Sequence, residues 1–156
     1  MNSDVIDITR ASSLDAEVVL AIDRACFNGP TLNLETELKH PWSYLFLARP
    51  EGAARPRAFL LAWLVSDELH VLSVACLPEF RRRGLGRALL THTIDFARAR
   101  GGRTALLEVR RSNHAALELY AAFGFVTTRI RPRYYADNME DAIEMTLALS
   151  PPPADG

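Results

Sequence analysis

The residue types that could do chemistry in this 156-residue chain gather in two short blocks. The first is Arg81-Arg82-Arg83-Gly84-Leu85-Gly86, standing just ahead of a helical pattern. Its glycines let the backbone turn tightly with several N–H groups pointing inward, and such a nest at a helix N-terminus binds phosphate through unpaired donors and the positive end of the dipole. The arginines add charge-assisted hydrogen bonds. The second block is Leu106-Leu107-Glu108-Val109-Arg110, with a carboxylate in an otherwise apolar strand, followed by Tyr120 on the apolar face of the next helix. A carboxylate and a phenol so placed can take a proton from one reacting group and give one to another. Plainer readings stand beside these: a glycine-containing helix start with solvated arginines, a Glu108 paired with Arg110 or Arg111, and a Tyr120 that only fills core.

Other chemistries are excluded residue by residue. A dinucleotide fingerprint needs a third glycine where this chain has Leu89, and a turn much sooner after the strand than the stretch from Cys76 to Arg83 allows. A Walker loop fails because no Lys-Ser or Lys-Thr follows the glycines. His40, His70 and His92 are scattered singly and His114 merely borders Asn113, so no ligand spacing points to a metal. Lys39 is the only lysine, which argues against a lysine nucleophile or Schiff base.

The elements that must position these blocks follow from the pattern of apolar residues. Val5-Ile6-Asp7-Ile8 alternates as a first strand, and Ser12 with Asp15 three residues on forms a capping box. A helix then puts Val18, Ile22, Ala25 and Cys26 on one face and ends at Asn28-Gly29-Pro30, with a short helix expected around Leu34 to His40. Tyr44 to Arg49, Ala58 to Val65 and Leu69 to Cys76 read as an antiparallel meander. After Pro78 the period changes: Leu89, Leu90, Thr93, Ile94, Phe96 and Ala97 make a helical stripe that stops at Gly101-Gly102. Thr104 to Val109 is a strand. Ser112 or Asn113 caps a helix that shows Ala116, Leu119, Tyr120 and Phe123 on one face and ends at Gly124, with Phe125 beyond it. Val126 to Ile130 and Ala142 to Leu149 complete the set.

This order gives an α/β fold with a mixed, mostly antiparallel sheet of about seven strands and about four helices. The helix between strands four and five makes that pair a parallel crossover, right-handed by default, with its N-terminus near the carboxyl end of strand four. Ligands of α/β sheets favour that location. Residues 1–149 read as a single domain and residues 150–156, with three prolines, as a flexible tail.

Charge is close to balanced overall, at −1, yet from Glu79 to Arg111 nine arginines face only Glu79, Asp95 and Glu108. That local excess suits a small anionic ligand rather than nucleic acid, which wants a basic face. Cys26 and Cys76 sit among apolar neighbours without zinc-type spacing and read as reduced core residues. With no long apolar run, the expectation is a cytoplasmic protein that does not engage a membrane, either a monomer or a weak homodimer.

Arg81-x-x-Gly84-x-Gly86, preceded by Val74-Ala75-Cys76-Leu77-Pro78, resembles the acetyl-CoA loop of the GNAT acetyltransferase superfamily. The resemblance implies a GNAT fold with acetyl-CoA as cosubstrate and no metal. It implies that Val74, Ala75 and Cys76 run beside the pantetheine arm, that Arg81, Arg82, Arg83, Gly84, Leu85, Gly86 and Arg87 form the pyrophosphate loop, and that a backbone N–H of strand four polarises the thioester carbonyl. The run from Leu107-Glu108 through Ser112-Asn113, Leu119-Tyr120 and Gly124-Phe125 is similar to that of the ribosomal-protein-alanine N-acetyltransferases and related N-terminal acetyltransferases. From that family Glu108 takes the role of general base, Asn113 that of a CoA contact and Tyr120 that of proton donor. Arg133-Tyr134-Tyr135 resembles the hairpin that closes over the substrate peptide in these enzymes. Phe27 and Pro30 fall where relatives build the other peptide wall, although Thr31 stands where an aromatic is common and leaves the preferred first residue open.

The resemblance thus implies acetylation of the α-amino group of a protein N-terminus, a ribosomal protein being one candidate. Such aminolysis needs a neutral amine and a stabilised leaving thiolate, and an α-amine with a pKa of roughly 8 needs only a modest base acting through water. An acetyltransferase of small-molecule amines and a non-catalytic acyl-CoA-binding module are the alternatives.

Overall fold

A computed structural model describes residues 5–27 and 32–149 of the chain. Pro30, Thr31 and the tail from residue 150 lie outside the described residues. Seven strands form one sheet in the order β1-β2-β3-β4-β5-β7-β6. They are β1 (Ile6–Arg10), β2 (Ser43–Pro50), β3 (Ala58–Val65), β4 (Glu68–Cys76), β5 (Thr104–Arg110), β6 (Val126–Tyr135) and β7 (Glu140–Ala148). Four α-helices accompany them among the described residues: α1 (Ala16–Cys26), α2 (Leu34–Lys39), α3 (Leu85–Ala99) and α4 (His114–Ala122). Only the β4/β5 pair is parallel; the other ladders are antiparallel, as the single crossover helix requires.

Period-two alternation sorts the sheet into two faces. Phe46, Ala58, Leu60, Leu69, Val71, Leu107, Val109 and Met145 pack with α3 and with Tyr120 of α4. On the opposite face Leu45, Leu47, Phe59, Leu61 and Ala75 pack with Val19 and Ile22 of α1 and Leu34 of α2. That second cluster contains no residue of β5, β6 or β7, so the face is left open over the second half of the sheet.

The helix signals at Ser12, Asn113 and Gly124 hold, while the Asn28-Gly29-Pro30 stop lies outside the described residues. Ser12 and Asp15 form the capping box, which opens a 3-10 turn that leads into α1. The buried face of α1 is Val19, Ile22 and Asp23, while Ala25, expected inside, is exposed. Asn113 rather than Ser112 caps α4, its Oδ1 accepting from the Ala116 N–H at 3.2 Å. At the other end Gly124 takes φ +98°, and the Phe125 N–H donates to the Tyr120 carbonyl, which closes the helix and turns Phe125 into the core.

Two irregularities shape the region that concerns function. In the β3/β4 ladder Leu61 faces Ser73 but Ala62 faces Val71, so Leu72 is an extra residue, a bulge. Before it Leu69 and Val71 point to α3; after it Val74 and Cys76 do. The parallel ladder, meanwhile, runs only from Glu68↔Thr104 to Val71↔Leu107. Past that point β4 and β5 continue without pairing, and the strands part.

Candidate active site

The parting of β4 and β5 leaves one backbone edge of each strand unpaired beyond Val71 and Leu107. Unpaired edge groups accept another extended chain. Val74, Ala75 and Cys76 line this opening on the β4 side, Cys76 being half-buried. The Cys76 carbonyl already accepts from Arg81 Nε at 3.0 Å and from Cys26 Sγ at 3.3 Å. Both cysteines are free, and burial pushes the Cys76 thiol pKa up.

Directly after β4, a 3-10 turn at Pro78–Phe80 leads into the arginine loop, where Arg82 (φ 65°) and Gly84 (φ 82°) both adopt left-handed backbone. Gly84 caps α3, whose first N–H groups have no partner within the helix. Arg81 lies back on β4, whereas Arg83 stacks on Phe80 at 5.0 Å and Arg87 faces Phe123 at 5.6 Å. Among the described residues, none of Arg81, Arg82, Arg83 and Arg87 forms a salt bridge. Leu85 turns into the core, and a Cβ on Gly86 would meet only Leu119 Cδ2, at 3.6 Å. A turn of unpaired N–H groups ringed by uncompensated guanidinium groups has the chemistry to accept a phosphate-bearing ligand.

Glu108 and Tyr120 flank β5 from opposite sides. Leu107 and Val109 point to α3 and α4, where Tyr120 is 7% exposed and packs on Phe125 at 5.7 Å. Glu108 projects from the open face, with its side chain 20% exposed. Burial pushes the Tyr120 pKa up to about 12, so the hydroxyl keeps its proton at neutral pH. Glu108 pairs with neither Arg110 nor Arg111. Arg131 of β6 brings Nε to 3.1 Å from Glu108 Oε2, and the Tyr134 hydroxyl donates to Glu108 Oε1 at 3.3 Å.

The β6–β7 hairpin that carries the tyrosines is stapled to the end of β5. Arg110 meets Asp137 bidentately at 3.0 and 3.1 Å, Arg111 meets Asp141 at 3.0 Å, and the Ser112 N–H donates to Glu140 Oε2 at 2.6 Å. Hydrogen bonds from Ser112 hold the Glu140 pKa down to about 2, and Arg110 lowers that of Asp137. Tyr135 is half-buried under the Arg110 guanidinium, 4.0 Å from its ring, and meets the 48% exposed Tyr134 edge to face. Phe27 ends α1, partly buried on that helix's cluster. The structure therefore brings Glu108, Tyr134 and Tyr135 together, with Tyr120 behind β5 and the arginine loop at the foot of α3.

Sequence reasoning passed over Arg131 and Glu144 and set His70 aside as a singly scattered histidine. Glu144 faces Glu108 across the β5/β7 ladder, and its setting in Ala142-Ile143-Glu144-Met145 repeats the signal that singled out Glu108. His70 projects beside them from β4, and its burial lowers its pKa.

The sheet thus brings together an arginine-ringed turn after β4, an opening between two parallel strands, and a carboxylate and a phenol on either side of it. Residues 17–125 match the model of the acetyltransferase (GNAT) family. The chain belongs to that family. It is 41% identical over 122 residues to the alanine N-acetyltransferase of ribosomal protein bS18 from Escherichia coli, covering 70% of this chain and 82% of the relative. It is 33% identical to the N-alpha-acetyltransferase RimI of Mycobacterium tuberculosis, over 89% of this chain and 85% of that one. The crystal structure of the Escherichia coli ribosomal-protein alanine N-acetyltransferase superposes with a TM-score of 0.86 at 33% identity, covering 96% of this chain and 97% of that chain.

Proposed function

We propose that this member of the GNAT family transfers acetyl from acetyl-CoA to the α-amino group of a protein N-terminus, with a ribosomal protein as the favoured substrate. The observation that carries the reading is the position of Glu108 and Tyr120 on opposite faces of β5, beside the point where its ladder with β4 ends. A base on one face and an acid on the other can serve one bond only if that bond lies in the opening between the strands. The names of relatives sharing 33% to 41% of their residues with this chain support the substrate class. Ribosomal proteins are made in the cytoplasm, so this reading puts the enzyme there.

The residues present fit acetyl-CoA. Arg82, Arg83 and Arg87, with the N–H groups around Gly84 and Gly86, would hold the pyrophosphate, and the bare Cα of Gly86 permits close approach. The free edge of β4 at Val74, Ala75 and Cys76 would pair with the amides of the pantetheine arm, sharing the Cys76 carbonyl with Arg81 or displacing it. Asn113 has its Oδ1 committed to the cap of α4 and its Nδ2 available to the cosubstrate. When bound, acetyl-CoA supplies an activated acyl group and a thiol leaving group.

The chain's own groups then divide the work. Glu108 takes a proton from the incoming amine through a water, because an ammonium has no lone pair with which to attack. A backbone N–H of β4 beyond the Leu72 bulge donates to the carbonyl oxygen as it gains charge. Tyr120, still protonated, gives its proton to the departing sulfur. Tyr134 and Tyr135, together with Phe27 at the end of α1, offer apolar walls, and the tyrosines offer hydroxyls, to the first residues of the peptide.

A library of N-terminal peptides incubated with acetyl-CoA and read by mass spectrometry tests this. One added acetyl on the α-amine of a subset of peptides is the expected result. Acetylation of free small amines with no peptide modified would sink the reading in favour of a small-molecule acetyltransferase.

A further inference from the structure

Glu108 and Glu144 stand directly opposite each other in the β5/β7 ladder, on the face that no helix of the described residues covers. Two like charges so paired repel. One guanidinium lies between them: Arg131, its side chain 35% exposed, brings Nε to 3.1 Å from Glu108 Oε2 and Nη2 to 3.2 Å from Glu144 Oε2. The two contacts differ in kind. Nη2 donates a hydrogen bond to Glu144, whereas Nε is near Glu108 without being directed at it and makes no hydrogen bond. An arginine left alone with a carboxylate takes both oxygens in a fork. Here the aligned donor is committed to Glu144, so Glu108 keeps lone pairs for a water or an amine.

We propose that Arg131 and Glu144 are positioning residues for Glu108: Glu144 draws the guanidinium off the base, and the guanidinium shields the base from Glu144. The inference rests on Glu108 being the general base of acetyl transfer. Among the described residues the groups facing Glu108 are His70 from β4, Arg110 along β5, Glu144 from β7, and Arg131, Tyr134 and Tyr135 from β6. Burial lowers the His70 pKa and raises that of Tyr135, which keeps both uncharged near pH 7, and Arg110 is engaged by Asp137 and Glu140, so Arg131 and Glu144 are the charges that set the behaviour of the base.

Removing each should move Glu108 in opposite directions. In Glu144→Gln the like charge is gone and Arg131 is free to fork onto Glu108, so the carboxylate gives up its proton at lower pH and becomes a weaker base. In Arg131→Met two carboxylates face each other without a cation, so Glu108 holds its proton to higher pH. A merely structural role predicts neither sign.

The experiment is the pH dependence of kcat/KM with acetyl-CoA and an alanine-initiated peptide, for the wild-type chain, both single variants and the double variant. The acidic limb is expected to move down by about one pH unit in Glu144→Gln and up by about one unit in Arg131→Met. The double variant should return towards wild type, and the kcat plateau of Glu144→Gln should fall about threefold to tenfold. The limb set by the peptide's own amine is common to all variants and serves as the reference. Should Arg131→Met fail to fold, Arg131→Gln takes its place. Limbs that coincide, or single variants that shift the same way, overturn the proposal. Glu108→Gln separates the two levels. If it keeps full activity, the base assignment falls and the positioning role with it; if it is inactive while the limbs stay put, the positioning role alone falls.

Discussion

Tyr120 is suited to protonate a thiolate because burial in α4 keeps its hydroxyl neutral to about pH 12. Among the described residues that hydroxyl makes no side-chain hydrogen bond, so Tyr120→Phe removes the proton donor and leaves the packing on Phe125 intact. We expect kcat to drop by about a hundredfold or more with KM for acetyl-CoA little changed and the melting temperature held, as steady-state kinetics and a thermal melt would report. Unchanged kcat would return the residue to the core. Both Tyr120 and Glu108 stand out in the sequence because each is a polar group inside an apolar pattern, which costs free energy unless something uses it. Glu144 carries the same mark in β7, but its meaning comes from standing across from Glu108, and no local signal gives that register. Arg131 was hidden more deeply. It is one of several arginines in β6, and only a ladder with a register shift brings it between the two carboxylates.

At the scale of elements, the helix starts and stops were readable because they depend on local chemistry: a capping box at Ser12, an Asn cap at position 113, and glycines with positive φ at 84 and 124. Strand β6 was not. Pro132 reads as the end of a strand, and Val126 to Ile130 is where the sequence pattern stops, yet β6 runs on to Tyr135. It can do so because it is the sheet's edge, where a missing N–H goes unmissed, and because the ladder slips between Arg131 and Tyr135. The Leu72 bulge was equally invisible, since Leu69 to Cys76 keeps its apolar character through the change of parity. The start of α3 gives the sharpest test at this scale. Gly86 has an ordinary backbone, and an alanine there would touch Leu119 without a clash. Helix propensity alone then predicts Gly86→Ala to be neutral or more stable by up to about 1 kcal/mol. If the backbone around Gly86 holds the pyrophosphate as proposed, crowding of that backbone by the methyl should nonetheless weaken CoA binding about tenfold. Calorimetric titration with CoA beside a thermal melt reads both, and equal affinity with higher stability would remove Gly86 from the site.

For the molecule as a whole, groups in and beside the candidate active site also set the pH range over which the fold holds. Glu140 ties the β6–β7 hairpin to the end of β5, and its pKa is lowered from 4.5 to about 2 by hydrogen bonds from Ser112. A carboxylate depressed on folding contributes stability that is present above pH 4.5 and is lost as pH falls through about 2, because the unfolded chain binds the proton first. Tyr120 acts at the other end. Its pKa is raised by burial from 10.0 to about 12, so its contribution is complete below pH 10 and is lost as pH rises through about 12, where the unfolded phenol is already ionised. The alkaline loss amounts to about 3 kcal/mol across that window. Denaturant unfolding measured from acid to alkaline pH should therefore give a dome. Glu140→Gln flattens its acid flank and leaves the alkaline one, while Tyr120→Phe does the reverse. The two sites lie on different elements and respond in separate windows, so the double variant should show both changes in full. An acid flank unaltered by Glu140→Gln would mean that the hairpin is held by the Arg110–Asp137 and Arg111–Asp141 pairs without it.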